Sequence, residues 1–122
     1  MKQLFAFVVF SCILIFNSCS IPNLYENDDI LVTKELLKLR ITNNSNETIY
    51  YFIVEQETAA VINWAPTLNG PSIQSGKHAI VQNSDIFVAE NQTLKKGSKV
   101  IIYYWTSSLK SIYDVNGFVI EL

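Results

Sequence analysis

The chain has 122 residues, 49% of them apolar, with 9 Lys and Arg against 11 Asp and Glu, a net charge of −2 and 2 cysteines. That length holds one small domain. The charge balance excludes a nucleic-acid surface, which needs clustered Lys and Arg, and two cysteines exclude a Cys-rich zinc scaffold.

The N-terminus opens Met1-Lys2-Gln3 and passes into an apolar run from Leu4 to Phe16, broken only by Ser11. At about 13 residues the run is short of the roughly 20 that a spanning helix needs. A basic start, a short apolar run and small residues behind it read as a signal peptide over residues 1–18. The run ends Phe16-Asn17-Ser18-Cys19-Ser20. A small residue followed by cysteine at this place resembles a bacterial lipobox, in the relaxed form of Bacteroidetes lipoproteins. Phe16 and Asn17 depart from the Leu and the Ala or Ser of the strict pattern. The resemblance is confined to the leader. It implies that Cys19 takes a diacylglyceryl group and becomes the first residue of a lipoprotein. Ser20, where Asp would mark inner-membrane retention, resembles the outer-membrane class. A lipoprotein cysteine carries at least two acyl chains, which hold a domain on a membrane where one binds marginally. Cys12 would leave with the leader, so no cysteine pair remains for a disulfide.

Residues 19–33 then read as a lipidated N-terminus and linker, because Pro22, Asn23, Asn27, Asp28 and Asp29 disfavour regular structure. The alternative for the end of this stretch is a strand through Ile30-Leu31-Val32. From residue 34 to 122 the pattern is β. Leu37, Leu39 and Ile41 alternate with Lys38, Arg40 and Thr42, the mark of a half-buried strand. Asn43 to Glu47 is a turn by composition. Thr48 to Val54 is β-branched and aromatic on both faces, which suits a central strand, and the two strands are expected to form a hairpin.

Ala59 to Ser72, with Trp64, Pro66, Gly70 and Pro71, reads as a strand edge and a long loop. Ile73 to Gly76 is a turn, Lys77 to Gln82 a weak strand and Ile86 to Ala89 a short one. Lys99 to Trp105 is the strongest strand, again apolar on both faces. Ser107 to Tyr113 is a loop or single helical turn. Asn116-Gly117 signals a tight turn before the last strand, Phe118 to Leu122. About seven short strands with frequent turns predict an all-β fold, a small immunoglobulin-like β-sandwich. A small closed β-barrel is the alternative.

Chemistry-bearing residues are sparse. The single histidine, His78, has no nucleophile in a recognisable motif beside it, and a triad needs nucleophile, base and orienting group. Glu55 and Glu57 end one strand, a solvated end rather than a glycosidase pair. No calcium-loop spacing or phosphate loop occurs, so no metal and no cofactor is expected. Sequons at Asn43, Asn46 and Asn91 are turn chemistry in a bacterial chain. Tyr50, Tyr51, Phe52, Tyr103, Tyr104 and Trp105 cluster in two strands, and half of them should face the core. Trp64 is the candidate binding residue. The sequence thus predicts a non-enzymatic, membrane-anchored envelope module with a protein or glycan partner. A carbohydrate-binding accessory lipoprotein and an envelope inhibitor or immunity protein are the alternatives.

Overall fold

The computed structural model describes residues 23–36 and 38–122, so the leader, Cys19 and Leu37 lie outside the described residues. One four-stranded sheet has the order β1-β2-β3-β6: β1 (Asn23–Glu26), β2 (Ile30–Glu35), β3 (Lys38–Asn43) and β6 (His78–Gln82). The other has the order β5-β4-β7-β8: β4 (Ile49–Glu55), β5 (Ser72–Ile73), β7 (Lys99–Thr106) and β8 (Asn116–Glu121). Every pairing within the sheets is antiparallel. The chain changes sheet between β3 and β4, between β5 and β6, and between β6 and β7. Non-consecutive strands therefore lie side by side, as in Greek-key immunoglobulin-like sandwiches. The two sheets do not close into a barrel.

Alternation decides which residues face inward. Along β3, Leu39, Ile41 and Asn43 are buried while Lys38, Arg40 and Thr42 point outward. Ile30, Val32 and Val81 join them from the first sheet, and Ile49, Ile53, Val100, Ile102, Phe118 and Ile120 meet them from the second. Most are β-branched, which suits a pleated surface packed on one side. Each such side chain contributes roughly 1.5–3 kcal/mol when fully buried. Tyr25 of β1 stacks on Phe118 of β8, with ring centroids 3.6 Å apart and planes 5° apart, closing one side of the sandwich.

Four local expectations are corrected. First, residues 23–33 are not a linker: they supply β1 and most of β2, so the alternative of a strand through Ile30-Leu31-Val32 holds, and the described residues form eight strands where about seven were expected. Asn27 makes this possible. Its Oδ1 accepts the N–H of Asp29 and of Ile30, both at 2.8 Å, and its Nδ2 donates to Tyr104 Oη at 2.7 Å. One side chain thus shapes the β1–β2 turn and ties it to the opposite sheet.

Second, β3 and β4 are not a hairpin. They belong to different sheets, and the buried Asn43 forms the corner between them. Its Nδ2 donates to the carbonyls of Glu47 and Ile73, each at 2.8 Å, and its Oδ1 accepts the Ser45 N–H at 2.9 Å. An amide so enclosed is structural. Third, Asn116-Gly117 is no turn: both residues lie within β8, opposite Tyr104 and Tyr103. Fourth, Ile86 to Ala89 contributes only an isolated bridge between Phe87 and Val54.

Candidate functional site

β4 and β7 are apolar on both faces, so the inner sandwich satisfies only half of each. Their outward residues pair across the strands as Tyr50 with Trp105, Phe52 with Tyr103, and Val54 with Ile101. The chain after β4 covers them. A single helical turn, α1 (Gln56–Ala59), leads into a loop that runs to β5. Trp64 sits on that loop and lies over the sheet. Its ring centroid is 4.7 Å from that of Tyr103, 4.9 Å from Phe52 and 6.0 Å from Trp105. Tilted aromatic pairs of this kind add about 0.5–1.5 kcal/mol each beyond area burial.

Trp105 faces outward yet is only 2% exposed, because the loop seals it. Its Nε1 donates to the Thr67 carbonyl at 3.0 Å, satisfying the indole N–H. Gly117 explains how Tyr103 lies flat. A Cβ at that glycine would stand 3.0 Å from Tyr103 Cδ1, so the ring occupies the space a side chain would need. The glycine is a packing device here.

α1 fixes the start of the cover. Glu55 is its N-cap, and its carboxylate accepts the N–H of Thr58 at 2.7 Å and of Glu57 at 3.1 Å. Burial raises the Glu55 pKa, but these backbone hydrogen bonds together with the Thr58 side chain more than offset it and hold the carboxyl below its ordinary 4.5. Thr58 Oγ1 accepts the Ala89 N–H at 3.0 Å, tying the segment after β6 to the same layer.

The elements of this layer also carry exposed apolar residues: Val61 and Leu68 on the loop of Trp64, Val119 on β8 opposite Ile101, and Phe87, whose ring centroid is 6.0 Å from that of Phe52. Val61 is 77% exposed, Phe87 49%, Val119 48% and Leu68 46%. Exposed apolar residues gathered at one place mark interaction surfaces.

The other candidates fall elsewhere. His78 is exposed on the outer face of the first sheet, opposite Thr42. Glu55 and Glu57 do not share a strand end: Glu57 lies in α1, and both Glu55 oxygens are held by the cap. A polar hollow of about 440 Å³ borders them, lined also by Gln92, Lys95 and Lys99. Among the described residues no three His, Cys, Asp or Glu side chains gather as a metal site. Among the same residues no helix is long and apolar enough to cross a membrane.

Sequence reasoning placed Trp64 in a loop and Tyr50, Phe52, Tyr103 and Trp105 on strands. It missed Val61, Leu68 and Phe87, because nothing in their local pattern shows that the loop folds back over the sheet. No family model, curated protein or solved structure matches the chain.

Proposed function

We propose that this protein is a non-enzymatic binding module of the cell envelope. A lipid on Cys19 anchors it, in the outer membrane by the resemblance of Ser20, and the outer face of the second sheet meets a protein partner. One observation carries the partner reading: an aromatic centre of Trp64, Phe52 and Tyr103 whose own loop and neighbouring elements expose Val61, Leu68, Phe87 and Val119. Protein interfaces favour this arrangement, with aromatic anchors at the centre and small apolar contacts around them. A sugar would ask for free ring faces flanked by hydrogen-bonding groups. Here the rings contact one another and the rim is largely aliphatic, which favours protein over glycan.

The test uses photo-crosslinking residues placed at Val61 and, as control, at His78 on the opposite outer face. A partner captured in the envelope from position 61 and not from position 78 supports the reading. Capture from both faces alike, or glycan binding that Trp64→Ala abolishes, would replace it. The anchor is tested separately: a labelled fatty acid should mark the wild type and not Cys19→Ala.

A further inference from the structure

The ends of the sandwich differ as much as its faces. β1 starts at Asn23, opposite Thr33, and runs toward the turn at residues 27–29. Asn23 itself therefore stands toward the other end, where the β2–β3 turn and the stretch from Asn83 to Ser98 gather with Leu122. At that end Lys34, Lys38, Lys95 and Lys96 surround a cleft of about 170 Å³, with Leu36, Leu39 and Leu122 among its walls. Of the acids nearby, Glu35 is engaged by Arg40 at 2.9 Å, Asp85 accepts the Gln82 N–H at 2.9 Å, and the Glu55 carboxylate caps α1. Glu57, Glu90 and Glu121 do not line the cleft. The far end is acidic: Glu26, Asp28, Asp29, Glu47 and Asp114 stand against Lys77 and Lys110.

Leu36 stands at the tip of the lysine end. It is 92% exposed, and its backbone takes a left-handed conformation with φ +52°. Glycine or asparagine would occupy that conformation with less strain, and any polar residue would suit the exposure better. The strain remains in any surroundings, but the exposed leucine side chain gains when it meets an apolar phase.

We propose that this end rests on the membrane, with Leu36 dipping among the headgroups and the four lysines binding anionic phospholipid. The inference builds on the anchoring of Cys19. Three residues separate Cys19 from Asn23, and the four chain steps between them span at most about 14 Å. The lipid thus holds the lysine cleft close to the bilayer, at the range over which charge acts at physiological salt, a Debye length of about 8 Å. Lysine stems reach across apolar surface while the ammonium stays among headgroups. Each lysine at an anionic surface strengthens binding roughly fivefold. The acidic end then points away from the bilayer, the strands stand upright, and the face around Trp64 is presented sideways to a partner.

The test uses the intact lipidated protein on vesicles of phosphatidylcholine, with or without phosphatidylglycerol, and a trace of nitroxide-labelled lipid. A fluorophore is attached through Leu36→Cys or, at the far end, through Asn46→Cys. Circular dichroism checks that each variant keeps its β signal. The expected result is strong quenching at position 36 and little at position 46. That quenching should need phosphatidylglycerol, fade in high salt, and drop several-fold when Lys95→Gln and Lys96→Gln are added, while flotation with the vesicles is unchanged. Equal quenching at both positions in a floating protein, or quenching indifferent to lipid charge, would overturn the headgroup contact alone. Protein that fails to float would overturn the Cys19 anchor, and the contact with it.

Discussion

The outer face of the first sheet leaves Lys38, Arg40, Thr42, His78 and Gln82 toward water with Ile80 among them, whereas the second sheet carries Tyr50, Phe52, Tyr103 and Trp105 beneath a loop. The difference begins in sequence. β3 alternates, so burying one face satisfies it. β4 and β7 are apolar on both faces apart from polar end residues, so each needs a cover on both sides. The first sheet provides one cover and the stretch from α1 to β5 the other. A loop of this length without regular structure usually has a task, and here it forms a third layer. The energetic consequence is that removing a side chain from one outer face should act like a core substitution, and from the other like a surface one.

Trp105→Ala should show the largest effect. The indole is almost fully buried although it faces outward, and its N–H holds the Thr67 carbonyl. Truncating a buried tryptophan costs about 3–5 kcal/mol. Urea titration followed by far-ultraviolet circular dichroism measures it. A loss below about 1 kcal/mol would put Trp105 on an ordinary surface and dissolve the distinction between the faces.

Trp64→Ala comes next. The ring is half-buried and touches Phe52, Tyr103 and Trp105, so roughly 1.5–3 kcal/mol should go with it. Its mark should also be local. Amide exchange should quicken through the loop from residue 60 to 71 while the inner strands keep their protection. Uniform acceleration would mean that the loop and the sandwich unfold as one unit.

How far this could be read beforehand depends on the range of the interactions. Strand identity rests on neighbours two residues apart, and so β3, β4, β6 and β7 were legible. Partner choice rests on contacts far along the chain. Thr48 to Val54 followed an Asn-rich turn and suggested a hairpin, yet the Asn43 amide sends the chain across to the other sheet. Residues 23–29 were obscured because polar turn formers dominate their composition. What stiffens them is Asn27 reaching Tyr104, 77 residues away in sequence. Gly117 misled for the same reason: a local code for turns was present, but the ring of Tyr103 on the neighbouring strand explains it. Of the candidate site, the aromatic strands and Trp64 were visible and their assembly was not.

Glu55→Ala should have a smaller and pH-dependent effect. Losing an N-cap costs about 0.5–2 kcal/mol, and here it frees the start of the covering layer. The folded carboxyl is held below its ordinary 4.5, so its contribution is fully present above that value and disappears as pH falls through the lowered one. The wild type should therefore lead the variant at neutral pH and converge on it in acid, as the pH falls through the lowered value. A gap of constant size across that window would mean that shape, not charge, holds the cap.

Arg40→Ala should be the mildest. The Arg40 Nε lies 2.9 Å from Glu35 Oε1, but no hydrogen bond joins them: the N–H does not aim at the carboxylate. The Arg40 Nε is buried without a hydrogen bond, so its contact stabilises little, while the two side chains as a whole are 40% and 30% exposed and water screens their charges. Such pairs contribute about 0–1 kcal/mol, and salt reduces even that. Urea titration of Arg40→Ala should stay within about 0.5 kcal/mol of the wild type, with little change in 1 M salt. A loss approaching that of Trp105→Ala would show that the first sheet also depends on its outer face, and the asymmetry between the two sheets would then have to come from the loop alone.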